Sequence, residues 1–306
     1  MMSEIPALLK RISSGDPLAL ARGITLVEND LEGSVELLSS LNLEKAPPVV
    51  GITGPPGAGK STLISSLISQ LTAKGKKVAV IAVDPSSPFN FGSLLGDRLR
   101  MAEHFVNPNV FIRSLATRGS LGGLSAKAIE VSDVVRSAGF DLVIIETVGV
   151  GQSEVEIAGV ADTTVLVLVP ESGDDVQALK SGVMEIADIY VVNKSDRPGA
   201  DIFARNLQSL LHQREGSEWI PCLVKTNATK SEGSEELYSA ILSHQEKGLT
   251  NSRKEFLFTE KSWRLIQQEK MKFVDREKLQ EAVKKKMASG NFQLYRFVIE
   301  FIQEET

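Results

Sequence analysis

The sequence predicts an α/β protein: a mostly parallel sheet covered by helices on both faces, with helical extensions at both termini. Three observations carry this expectation. Short runs at residues 78–83, 142–145, 165–169 and 189–192 are apolar throughout rather than alternating, as strands buried on both faces require. Between residues 47 and 245 such runs alternate with helical stretches, the order that builds crossover connections in a parallel sheet. One run, at residues 49–52, leads through a glycine-rich string into a helix of clear apolar period.

In chain order, residues 1–46 read as a helical extension. Asp16 stands where an N-cap would, Pro17 takes the first helical position, and Leu18, Ala21, Ile24 and Val27 follow at helical spacing. Residues 47–249 form the α/β region, with strands expected over 49–52, 78–83, 110–112, 142–145, 165–169, 189–192 and 219–223. Residues 250–306 are charge-rich and helical. Phe256, Trp263, Ile266 and Met271 suggest one apolar face, Leu279, Val283 and Met287 another, and Phe292, Tyr295, Val298, Ile299 and Ile302 a third. Such faces must bury against something: either these helices pack back on the core, or they form an arm that docks on a second subunit.

At 306 residues, 42% hydrophobic and 24% charged, the chain is globular and not intrinsically disordered. A net charge of −5 argues against nucleic acid or an anionic membrane as a partner. The single cysteine, Cys222, excludes an intrachain disulfide framework and any CxxC metal clip. Residues 1–11 lack an apolar signal-peptide region, and no run approaches 18 apolar residues, so the expectation is a cytoplasmic protein.

The glycine-rich string is Gly54-Pro55-Pro56-Gly57-Ala58-Gly59-Lys60-Ser61, followed by Thr62 and by Leu63, Ile64, Leu67, Ile68 and Leu71. It matches GxxxxGK[ST] with strand before and helix after, the context of a P-loop. Glycines let backbone N–H groups turn inward around phosphate oxygens, and the helix N-terminus adds partial positive charge. Lys60 would neutralise β/γ-phosphate charge, and Ser61 would offer its hydroxyl to Mg²⁺.

The run at 189–192 ends in Asn193-Lys194-Ser195-Asp196, an NKxD string. Its Asp carboxylate would accept from guanine N1–H and the exocyclic amine, a donor pair that adenine lacks, and a buried carboxylate rejects a base that leaves it unpaired. Lys194 would lie along the ring, and the Thr226-Asn227-Ala228 segment would give a backbone contact to guanine O6. GTP is therefore expected over ATP.

Glu146, closing the run at 142–145, sits where a carboxylate would hold Mg²⁺, and Gly149 would sense the γ-phosphate. Asp84, at the end of the run at 78–83, and Asp97, within a switch-like segment, are further candidate acids. Gln152 invites comparison with glutamines that orient the attacking water, and Arg98, Arg100, Arg113 and Arg118 are candidate charge stabilisers or partner anchors.

Several longer strings are more specific: Val83-Asp84-Pro85-Ser86-Ser87-Pro88, Leu95-Gly96-Asp97-Arg98-Leu99-Arg100-Met101, and Ile112-Arg113-Ser114. To these are added Arg118-Gly119-Ser120-Leu121-Gly122-Gly123-Leu124, Glu146 through Glu154, and Met184-Glu185-Ile186-Ala187-Asp188. Together they resemble the MeaB/ArgK family of P-loop GTPases, chaperones associated with methylmalonyl-CoA mutase. The similarity runs from about Ala19 through Asp196, and the segment beyond about Asn251 looks unlike the family's tail. The resemblance implies a Mg²⁺-dependent GTPase homodimer that assists an adenosylcobalamin-dependent mutase in cofactor loading and protection, with the C-terminal helices serving dimerisation. It also implies Asp84, Asp97 and Glu146 as Mg²⁺ and switch acids, and Lys60 and Ser61 as the P-loop pair.

Two other functions compete. A nickel-insertion GTPase needs Cys/His ligands, whereas Cys222, His104, His212 and His244 are not at ligand spacing. An ATP-driven kinase or transport-associated ATPase is opposed by the 193–196 string and by the lack of membrane features.

Overall fold

The apolar runs become one seven-stranded sheet of order β3-β2-β4-β1-β5-β6-β7. Its strands are β1 (Val49–Thr53), β2 (Val78–Asp84), β3 (Val110–Ala116), β4 (Leu142–Glu146), β5 (Thr163–Leu168), β6 (Ile189–Val192) and β7 (Cys222–Lys225). Every pairing is parallel, so all seven strands end on the same edge of the sheet. The computed structural model describes residues 4–84, 101–116, 127–147, 153–173, 183–211, 219–249, 251–272, 274–290 and 292–305. The chain falls into two compact units, Met1–Lys254 and Glu255–Thr306.

The described residues form twelve α-helices. In the first unit these are α1 (Glu4–Ser13), α2 (Pro17–Glu28), α3 (Ser34–Ser39), α4 (Lys60–Ala73), α5 (Ala128–Arg136), α6 (Ser153–Val160), α7 (Val183–Ile186), α8 (Ala200–Leu211) and α9 (Ser234–Glu246). α10 (Ser252–Met271) runs from the first unit into the second, which holds α11 (Arg276–Ala288) and α12 (Leu294–Glu305).

Because strand side chains alternate, β1 offers two faces. Val50 and Ile52 join a core with Leu63, Ile64, Leu67, Ile68 and Leu71 of α4 and Leu237 and Ile241 of α9. Gly51 points the other way, to Ile157 of α6. The central strands β4, β1 and β5 are buried at every residue, which is why their sequences show no alternation.

Three local expectations shift. Asp16 does cap α2, its carboxylate accepting from Leu18 and Ala19 N–H with Pro17 behind it, but the buried face is Ala19, Leu20, Gly23, Ile24 and Val27. Leu18 is 78% exposed, because a residue in the first turn beside the cap points past the neighbouring helices. The last strand spans Cys222–Lys225 rather than 219–223. Pro221 has no N–H to give a ladder, and Trp219 instead donates its indole N–H to the Asp188 carbonyl at 2.8 Å. β3 runs four residues further than expected, to Ala116, paired with β2 as far as Asp84.

In the second unit, no side chain of α11 is buried, and Asp275 caps that helix by accepting from Glu277 and Lys278 N–H. Phe297 of α12 is buried, its ring 5.6 Å from that of Phe292 and 5.8 Å from that of Phe301. Trp263, Ile266, Met271, Met287, Tyr295, Ile299 and Ile302 are all exposed. No described helix is long and apolar enough to cross a membrane.

Candidate functional site

The P-loop leaves the end of β1 and enters α4 at Lys60. Gly59 has φ +88, and a Cβ built there would lie 2.4 Å from the side-chain nitrogen of Asn193. Only glycine lets the two loops approach this closely. Lys60 is buried, its ammonium donating to the carbonyls of Gly54 at 2.8 Å and Pro55 at 3.2 Å.

Glu146 lies opposite Ile52 in the β1–β4 register, and this brings it to Ser61 at the start of α4. Both are buried, and the Ser61 hydroxyl donates to Glu146 Oε1 at 2.7 Å. Behind them Thr147 Oγ1 donates to Thr53 Oγ1 at 2.8 Å, tying the ends of β4 and β1 together. A buried hydroxyl and carboxylate in contact are hard oxygen donors, the kind Mg²⁺ takes. Among the described residues no group of three or more His, Cys, Asp or Glu side chains could hold a metal.

The NKxD loop leaves β6, separated from β1 only by β5. Asn193 is buried: its Nδ2 donates to the Ala58 carbonyl at 2.8 Å, and its Oδ1 accepts from Thr226 Oγ1 at 3.0 Å and Ala228 N–H at 3.2 Å. Lys194 has φ 55, a left-handed conformation that sends its ammonium back to the Gly57 carbonyl at 2.8 Å. One asparagine and one lysine thus fasten the second loop to the first. Next to them Arg197 pairs with Glu171, and the guanidinium holds that carboxyl below its ordinary range.

The expected carboxylate of Asp196 is exposed rather than buried, because it stands in the turn beyond Lys194. The backbone N–H groups of Asn227 and Ala228 are engaged, by the Glu232 carbonyl at 3.0 Å and by Asn193 Oδ1. The buried Asn227 Nδ2 has no hydrogen-bond partner among the described residues. Asp84 closes β2 at the same edge of the sheet. Asp97, Gly149, Gln152, Arg98, Arg100 and Arg118 lie outside the described residues. Arg113, named as a candidate charge stabiliser, instead pairs with Glu28 of α2 at 2.9 Å. The sequence reading named Thr226 only as part of the segment near guanine O6; its hydroxyl donates to Asn193 Oδ1 and orients that amide, a role with no signal beyond a β-branched hydroxyl one residue past a strand.

The described site thus offers a glycine-lined loop with a buried ammonium, a hydroxyl–carboxylate pair, and an amide-anchored loop bearing a free carboxylate. All lie on one sheet edge and can together receive a phosphate chain at one end and a base at the other.

The comparisons agree with this chemistry. A family model described as methylmalonyl Co-A mutase-associated GTPase MeaB matches residues 20–288. The match passes well beyond Asp196 and through most of the segment after Asn251 that looked unlike the family. GTPase ArgK of Escherichia coli is 40% identical over 245 residues, covering 76% of this chain and 74% of that protein. The mitochondrial methylmalonic aciduria type A homolog of Mus musculus is 37% identical over 267 residues, covering 81% of this chain and 64% of that protein. A crystal structure of a LAO/AO transport system kinase superposes with a TM-score of 0.67 at 27% identity, over 98% of each chain. The chain belongs to the MeaB family of P-loop GTPases.

Proposed function

We propose that this GTPase holds GTP across its two joined loops and serves as a nucleotide-gated chaperone of an adenosylcobalamin-dependent acyl-CoA mutase of the methylmalonyl-CoA type. The observation that carries the nucleotide reading is the Asn193 amide, which ties the NKxD loop to the P-loop at Ala58. The distance between base site and phosphate site is thereby set by the protein before any ligand arrives.

In this reading the 54–61 loop and Thr62 wrap the phosphates, and the Lys60 ammonium leaves the Gly54 and Pro55 carbonyls for β- and γ-phosphate oxygens. Ser61 and Glu146, with Asp84 and Asp97, would hold Mg²⁺, which when bound neutralises charge on the phosphates. Water attacks the γ-phosphorus in line, the bond to the β–γ bridging oxygen breaks, and Lys60 stabilises the charge left on the leaving diphosphate. Gly149 would contact the γ-phosphate, so that GTP and GDP leave different conformations for the mutase to read. At the base, Asp196 accepts from guanine N1–H and the exocyclic amine, while Lys194 lies along the ring. The 226–228 segment, whose Thr226 carbonyl accepts from Ser195 N–H at 3.0 Å, would stand beside the base.

The mutase role and a homodimeric state rest on the family's description and on the exposed apolar residues of α10 to α12. Titration with GTP, ATP and xanthosine triphosphate tests the base assignment. Asp196→Asn should lose GTP affinity and gain affinity for the xanthine nucleotide, whose 2-oxo group accepts where guanine donates. Unchanged GTP affinity in the variant would remove Asp196 from the site. The partner assignment is tested by nucleotide-dependent binding to a purified adenosylcobalamin mutase, and equal absence of binding with GTP and GDP would refute it.

A further inference from the structure

Helix α6 starts at Ser153, immediately after the 148–152 stretch that carries Gly149 and Gln152. Its other end is seated on the P-loop strand. A Cβ on Gly51 of β1 would stand 2.5 Å from Ile157 Cγ1 and 2.9 Å from Ala161 Cβ, so helix and strand meet with nothing between them. The last carbonyls of a helix have no partners within it. Here a side chain from another part of the chain supplies part of what is missing: Asn251 Nδ2 donates to the carbonyl of Ala158 in the last turn at 3.0 Å and to that of Ala161, just past the helix, at 3.1 Å.

The same amide serves a second helix. Asn251 Oδ1 accepts from Arg253 N–H at 3.1 Å and Lys254 N–H at 3.0 Å, and so caps α10. The negative end of one helix dipole and the positive end of another are thus joined through one planar group. Two further links converge on the first turn of α10. Lys254 pairs with Asp162, whose other oxygen accepts from Val49 N–H, the first amide of β1, at 2.8 Å. Arg253 donates to the Glu185 carbonyl of α7 at 2.7 Å. Asn251 and Arg253 also line a cavity of about 550 Å³ with Asp188, Trp219 and His244. The clasp therefore sits at the rim of open space and is not locked by close packing.

We propose that Asn251 is a positioning residue for GTP hydrolysis: by tying the C-terminal end of α6 to the 251–254 segment, it fixes the helix that directly follows Gly149 and Gln152 in the chain. Phosphoryl transfer depends on placement more than on covalent help from the protein, so loosening α6 lowers the chemical rate while the grip on the nucleotide, made by the 54–61 and 193–196 loops, persists. The proposal rests on the placement of the triphosphate argued above.

The test separates the two jobs of the amide. Asn251→Asp keeps an oxygen that caps α10 but replaces the donor facing Ala158 and Ala161 with an acceptor; Asn251→Ala removes both. Steady-state GTP hydrolysis, affinity for a non-hydrolysable GTP analogue and thermal melting are measured on the full chain. Couplings of this kind change rates by about 2- to 30-fold. The expected result is a kcat fall within that range in both variants, with KM and analogue affinity within about twofold of the parent. Asn251→Asp hydrolysing at the parent rate overturns the proposal. So does a loss of analogue affinity equal to the loss of rate, since Asn251 would then only be holding the fold. Analogue binding by the unmodified chain, read in the same titration, tests the placement of the triphosphate separately.

Discussion

Replacing Asn193 with alanine should damage stability and nucleotide binding together, and the structure gives the size of the effect. The side chain makes three buried hydrogen bonds, to the Ala58 carbonyl, the Thr226 hydroxyl and the Ala228 N–H. Alanine leaves all three groups facing a small polar void. A buried orphan costs about 1–3 kcal/mol. The void has three polar groups around it and admits a water that satisfies part of the loss, so the low end applies and the total is about 3 kcal/mol. For a domain of this length each kcal/mol moves the melting temperature by about 2–4 °C, giving a fall of about 6–12 °C. The assay is thermal melting without nucleotide, followed by GTP titration at a temperature where the variant is folded. Asn193→Asp is the internal comparison: it keeps both acceptor contacts but sets a second buried acceptor against the Ala58 carbonyl, so its melting temperature should fall at least as far as that of Asn193→Ala. If Asn193→Ala melts within about 2 °C of the parent and binds GTP as tightly, the bridge between the loops contributes nothing and the reasoning fails.

Lys60→Ala should abolish GTP hydrolysis, because it removes the buried ammonium held against the Gly54 and Pro55 carbonyls; release of phosphate at the parent rate, measured by a coupled assay, would show that charge is neutralised elsewhere. Stability should also respond to pH through His244. Burial holds its imidazole below the ordinary value of 6.5, against the opposing pull of Asp188 and Asp162. The unfolded chain therefore binds a proton as pH falls through 6.5 while the folded chain does not, and stability present above that pH is lost below it. Melting curves between pH 7.5 and 5.5 should show a steeper loss in the parent than in His244→Gln, and equal slopes would refute the assignment.

Legibility from sequence followed the range of the interaction concerned. The face of α4 was readable because Leu63, Ile64, Leu67, Ile68 and Leu71 recur at the helical period, and all five are buried. The cap at Asp16 was readable because its partners are two and three residues away. The buried face of α2 was misread, since Leu18 is as apolar as Leu20 and only the packing of neighbouring helices decides between them. The last strand was displaced for the same kind of reason: Trp219 and Ile220 look like strand residues, but the indole finds the Asp188 carbonyl and the proline removes a ladder donor. Asn251 carried no local signal for its longer contacts, because the carbonyls it serves are 90 or more residues away.

The two motifs were each legible, yet the property that makes them one site was not. A P-loop and an NKxD string state what each loop contacts; neither states how far apart the loops stand. That distance follows from the strand order, which puts only β5 between β1 and β6 and brings Asn193 within 2.8 Å of the Ala58 carbonyl. Gly59 then becomes a requirement of the pair: its missing Cβ is the space that the Asn193 amide occupies. The two loops are therefore mechanically one element, and a substitution made in either loop at this contact must register in the other.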